Sequence, residues 1–195
     1  MELLGSIIGI IYLILEYRAH PLLWLFGVLM PLAYIYIFFD SHLYANAAIN
    51  IYYVVISIYG AFSWWKMRHN SPSSQEDEGI RSMPRKYWVP ITAIVILLTV
   101  ALSLLLQQLG ESHTAWLDGF TSALSIVGMW MLAKKYYQQW LCWIVVEPVM
   151  IAMSLIADLY PTAVMYLVYS VIAILGYRRW KRKESKSESK TQTTP

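Results

Sequence analysis

The chain has 195 residues, 58% of them hydrophobic and only 14% charged, with a formal net charge of +3; a soluble domain carries roughly 25% charged residues. Its apolar residues fall in blocks with almost no charge inside, which excludes an ordinary globular enzyme and indicates a polytopic membrane protein. The single cysteine, Cys142, excludes an intrachain disulfide.

In chain order, the apolar blocks predict seven transmembrane helices, over residues 3–17, 22–39, 45–65, 88–109, 116–132, 140–157 and 162–177. About 20 residues cross a hydrocarbon core of about 30 Å. The first block is short and must tilt little or thin the bilayer. It has no basic segment before it and no small-residue cleavage site after it, so it reads as a retained helix rather than a signal peptide.

The second span contains Pro31. The third carries Asn46, Asn50, Tyr53, Ser57, Gly60 and Trp64, which fall within about 40° of one line at about 100° per residue. Amide, phenol and hydroxyl groups on one line face other helices or a wet cavity rather than lipid; helix–helix packing is the simpler use, substrate lining the sharper one. The stretch "NSPSSQEDEG" that follows is a solvated linker.

The sixth span places Trp140, Trp143, Glu147 and Ser154 on one narrow face, with Pro148 next to the acid. A carboxylate in mid-helix costs about 2.5–3.5 kcal/mol on insertion scales. No span interior offers a Lys or Arg to pair with it. Glu147 is then protonated, solvated by water, or matched by a ligand that brings the cation. An uncharged Glu hydrogen-bonded across helices is the alternative. Tryptophan faces attract cations as well, so the face suits a flat, positively charged organic molecule. Tyr166 and Tyr169 on the seventh span complete the candidate substrate-binding set. Pro31 and Pro148 each remove an intrahelical hydrogen bond and are candidate hinges.

Basic residues mark one side of the bilayer. Arg18, Lys66, Arg68, Arg81, Arg85, Lys86, Lys134 and Lys135 sit in alternate loops, and the opposite loops hold no Lys or Arg. The bias puts the N-terminus outside and the C-terminus in the cytoplasm. The closing run of Arg178, Arg179, Lys181, Arg182, Lys183, Lys186 and Lys190 fits that side and is read as a topology signal, not a nucleic-acid-binding tail.

The chain also matches itself at an offset of 116 residues, the separation of Trp24 from Trp140. In that register Tyr44, Tyr53, Gly60 and Trp64 meet Tyr160, Tyr169, Gly176 and Trp180. Two three-helix units separated by one inserted helix would be parallel, a transporter architecture with its site near the midplane between repeats. The expected organisation is a first repeat over 1–67, a cytoplasmic linker over 68–87 and a linking helix over 88–109. A second repeat over 116–180 and a disordered basic tail over 181–195 complete it.

Three runs carry a resemblance: Y-G-x-x-x-W at Tyr59, Gly60 and Trp64, W-x-x-W at Trp140 and Trp143, and G-x-x-x-W at Gly176 and Trp180. Through these, and over about residues 5–180, the chain resembles the PnuC vitamin transporters. The resemblance implies an all-α, SWEET-like 3+1+3 bundle and a homotrimer. It implies passage of a vitamin down its gradient, trapped by a cytoplasmic kinase. Nicotinamide riboside is the family default, with thiamine close behind; riboflavin and deoxynucleosides are alternatives. Nicotinamide riboside carriers have Asn where this chain has Glu147, another Asn where it has Leu175, and Gln where it has Asn50. No cofactor or metal is expected. Absence of H-E-x-x-H, G-x-S-x-G and P-loop motifs argues against an intramembrane enzyme or an ATP-driven pump. A non-transporting scaffold subunit is the remaining rival.

Overall fold

Long apolar runs propagate as helices, because in lipid every backbone polar group must be satisfied within its own segment. The computed structural model describes residues 2–40, 44–70, 79–109 and 114–192. It holds seven helices: α1 (Glu2–Tyr17), α2 (Leu23–Asp40), α3 (Tyr44–Asn70), α4 (Trp88–Leu109), α5 (Ala115–Ala133), α6 (Gln139–Ile156) and α7 (Tyr160–Gln192). Six are long and apolar enough to cross a membrane, and α1 supplies a shorter apolar helix, Ile8–Tyr17. Among the described residues the one extended pairing is an isolated bridge between Arg81 and Tyr136. Large apolar side chains stand exposed along the spans, Val89 at 79% and Leu97 at 69%, as a lipid-facing surface requires.

Two helices outrun the expected spans. α3 continues past Trp65 to Asn70, and α7 continues to Gln192, so residues 181–192 are helical where a disordered tail was expected. Lys, Arg and Glu are good helix formers, and a helix already nucleated in the membrane extends one residue at a time at little cost. α2 and α6 continue unbroken through Pro31 and Pro148. Pro31 is buried and Pro148 is exposed.

The chain divides into two units, one of residues 1–79 with 133–135 and one of residues 80–132 with 136–195. In the first, α2 packs along α3. The Trp24 ring lies on Gly60, where a Cβ would enter the ring, and the Trp64 ring meets it edge-on at 5.3 Å and 86°. Lys135 reaches over the Trp64 ring at 4.6 Å and Lys134 over Tyr59 at 5.0 Å.

In the second unit, α6 packs along α7. Trp140 lies on Gly176, where a Cβ would stand 2.6 Å from the ring, and Trp180 meets it edge-on at 5.8 Å and 84°. A core of Met83, Val127, Met131, Tyr136 and Cys142 is flanked by Ile91, Val95, Leu124 and Trp130. The strand-like segment ahead of α4 is pinned to the start of α6: Gln138 accepts from the Met83 amide (3.0 Å) and donates to Ser82 Oγ (2.9 Å), and the Tyr137 amide donates to the Arg81 carbonyl (3.2 Å).

The turns after α1 and α5 are built alike. Ala19 and Lys135 both take positive φ, at 51° and 57°. The next amides then reach back five residues, His20 to Leu15 at 2.8 Å and Tyr136 to Met131 at 3.0 Å. This is the Schellman closure, formed here without glycine. The following bonds match too: Leu23 to His20 and Gln139 to Tyr136, both 3.1 Å, then Trp24 to Pro21 (3.2 Å) and Trp140 to Tyr137 (3.3 Å).

Because an indole face occupies the space a side chain would need, Gly176→Val is expected to cost about 1–3 kcal/mol through overpacking, and Gly60→Val a similar amount. Thermal unfolding of the detergent-solubilised variants measures both; unchanged midpoints would mean that the rings yield without cost.

Candidate functional site

Helix α6 turns a face with a polar row at a spacing of four: Gln139, Trp143 and Glu147. Gln139 is fully buried, and its Oε1 accepts the Trp143 indole N–H. That bond fixes the ring's rotation. Gly128 on α5 lies beside the same ring, where a Cβ would meet Trp143 Cζ2 at an ordinary contact distance of 3.6 Å. Glu147 is 6% exposed, and its Oε2 has no hydrogen-bond partner among the described residues. Its carboxylate lies within electrostatic reach of Tyr169 on α7. Tyr169 in turn sets its ring against Tyr166 at 6.0 Å and 88°. The second unit therefore gathers Trp143, Glu147, Tyr166 and Tyr169, with Gln139 behind the indole.

A buried carboxylate oxygen without a donor is costly. The chemistry such a group supplies is direct: a fixed or protonic positive charge brought beside it would be both neutralised and oriented. Trp143 and the two tyrosines add ring faces and edges on which a flat cation can rest.

The remaining expected residues are placed as follows. Trp140 has no exposed surface and serves as the wedge between α6 and α7; its ring is occupied by Gly176 and Trp180. Trp64 is likewise buried, taken up by Trp24 and Lys135. Both act in packing within their own units. In the first unit, Asn50 and Tyr53 are half-buried on α3, and Ser57 is buried against Gly27. Asn46 lies on α3, and its side chain falls outside the described residues. Tyr53 lies within electrostatic reach of Tyr12, which also feels Glu16, a second acid with only 1% of its surface exposed.

Gln139 and Glu16 were not singled out from the sequence. Gln139 could have been found from its spacing of four before Trp143 and eight before Glu147. Glu16 stands two residues before Arg18 at a helix end, where an acid reads as surface. Among the described residues no group of three or more His, Cys, Asp or Glu could hold a metal ion.

Removing the acceptor from behind the indole leaves a partly buried N–H unpaired, so Gln139→Leu is expected to cost about 1–3 kcal/mol of stability. In a Trp143→Phe background the same change should cost measurably less, by unfolding in detergent. Equal costs in both backgrounds would separate Gln139 from Trp143.

The family described as "Nicotinamide mononucleotide transporter" matches residues 1–182. The chain is 20% identical to the nicotinamide riboside transporter PnuC of Escherichia coli (strain K12), over 92% of this chain and 84% of that protein. It is 25% identical to the PnuC of Neisseria mucosa, over 91% and 70%. It is 24% identical to the riboflavin/roseoflavin transporter RibM of Streptomyces davaonensis, over 92% and 83%. The crystal structure of a vitamin B3 transporter PnuC superposes with a TM-score of 0.71 and 23% identity, over 93% of this chain and 80% of that one, which shows a common fold.

Proposed function

The chain belongs to the nicotinamide mononucleotide transporter family, and from that premise we propose that it is a facilitative transporter that imports a cationic vitamin. The observation that carries the substrate class is the Glu147 carboxylate: buried, with one oxygen unpartnered among the described residues, and near the rings of α6 and α7. The pyridinium of nicotinamide riboside and the thiazolium of thiamine both carry a fixed positive charge that such an acid would match. Nicotinamide riboside stands first, because the PnuC relatives are named for it; thiamine stands close behind. A second reading, a neutral flavin, has the RibM relative in its favour and the buried acid against it.

The proposed mechanism is alternating access by two like-facing three-helix repeats joined through α4, a SWEET-like plan. In its favour are the repeated indole-on-glycine contacts and the repeated turn hydrogen bonds. The proposed orientation is N-terminus outside and C-terminus cytoplasmic in the plasma membrane, supported by the loop distribution of Lys and Arg. Pro31 and Pro148 are the proposed hinges, since each leaves a carbonyl one turn earlier without its helical donor. Trp143, Glu147, Tyr166 and Tyr169 bind the substrate in the second unit. Asn46, Asn50, Tyr53 and Ser57 supply the polar lining in the first. A homotrimer, and trapping of the imported vitamin by a cytoplasmic kinase, complete the proposal by family resemblance.

Purified protein in liposomes is expected to exchange labelled nicotinamide riboside or thiamine for unlabelled vitamin without ATP. If neither is exchanged while riboflavin is, the cationic assignment is wrong; if nothing crosses, the scaffold reading gains. Glu147→Gln is expected to weaken binding of the cationic vitamin by about 2 kcal/mol or more, roughly thirtyfold, with little change in the unfolding midpoint. Calorimetric titration giving an unchanged dissociation constant would remove Glu147 from the site.

A further inference from the structure

The end of α7 carries a dense cationic surface that the transport reading does not use. α7 has 33 residues, about 50 Å of helix against a hydrocarbon core of about 30 Å, so its last turns stand beyond the apolar layer. There Arg178, Lys181, Arg182 and Lys186 are all exposed. At about 100° per residue these four fall within an arc of about 140°, and Ser185 shares that arc. Glu184 registers outside it, as do Arg179 and Lys183. On the far side Trp180 is fully buried against Trp140, which holds this level of α7 to α6 and turns the basic arc away from the protein. Lys181 holds its Nζ over the Tyr177 ring, 5.7 Å from the centroid.

We propose that this face binds anionic phospholipid headgroups of the membrane surface from which α7 emerges. The arc starts at the end of the membrane span, and Arg178 to Lys186 rises only about 12 Å, close to one Debye length, so all four cations stay within electrostatic range of the headgroups. Two of the four are arginines, whose planar fork donates to phosphate oxygens in pairs. A nucleic acid would require the basic arc to reach into the aqueous phase. Here the cations are concentrated at the membrane end of the helix, which favours lipid.

The test uses the full chain purified in detergent, titrated with phosphatidylglycerol or phosphatidylcholine and read by native mass spectrometry. Each surface cation strengthens attachment to an anionic surface about fivefold. Phosphatidylglycerol should therefore bind at least about tenfold more tightly than phosphatidylcholine. That preference should fall to near unity in Arg178→Gln/Lys181→Gln/Arg182→Gln/Lys186→Gln, and several-fold in Lys181→Gln/Lys186→Gln, whose two positions lie past the buried Trp180 and leave the Trp140 contact in place. Raised salt should erode the preference in the unmodified chain. Equal affinity for the two lipids, or an unchanged preference in the twofold variant, would overturn the proposal. So would tighter binding of inorganic phosphate or of a single-stranded oligonucleotide than of the anionic lipid.

Discussion

The fold depends on an indole lying flat on a bare backbone. Hydrophobic burial supplies little net force between helices in lipid, because acyl chains are as apolar as leucine, so close packing must do what water exclusion does elsewhere. Trp24 on Gly60 and Trp140 on Gly176 bring large flat surfaces against helices that present no Cβ. Trp64 and Trp180 then close each contact edge-on, four residues further along the glycine-bearing helix. The glycines are required by approach distance and not by backbone angle; both sit in regular helix.

Around these packed seams the polar groups divide by role. Some are tied down: Gln138 holds the segment before α4, and Thr99, Thr121 and Ser125 return their hydroxyls to carbonyls of their own helices. Glu147 differs, because its carboxylate has one oxygen without a donor among the described residues. In the proposed site a cationic ligand would repay that cost, and the neighbouring rings would set its shape. Gln139 contributes indirectly by fixing the rotation of one of those rings.

Much of this was legible in the chain. Spans were readable because charge is nearly absent inside them, and the indole-on-glycine pairs because Trp and Gly recur in one register. Periodicity marked the α6 face but could not divide it. Trp140 and Trp143 look equivalent on a helical wheel, yet one is sealed beneath Gly176 and the other is bonded to Gln139. That distinction rests on which neighbour fills which groove, a tertiary fact. The helical continuation to Gln192 was missed for a different reason: a Lys, Ser and Glu composition reads as disordered unless a helix already exists upstream to extend.

Cys142 is the one thiol in the chain, and it sits within the core of the second unit against Met83, Val127, Met131 and Tyr136. Water-borne maleimides and methanethiosulfonates have poor access to such a sulfur. The natural protein therefore serves as its own blank for spectroscopic probes: a cysteine introduced on a loop becomes the principal reactive handle, with no need to delete the native one and reopen the packing that surrounds it.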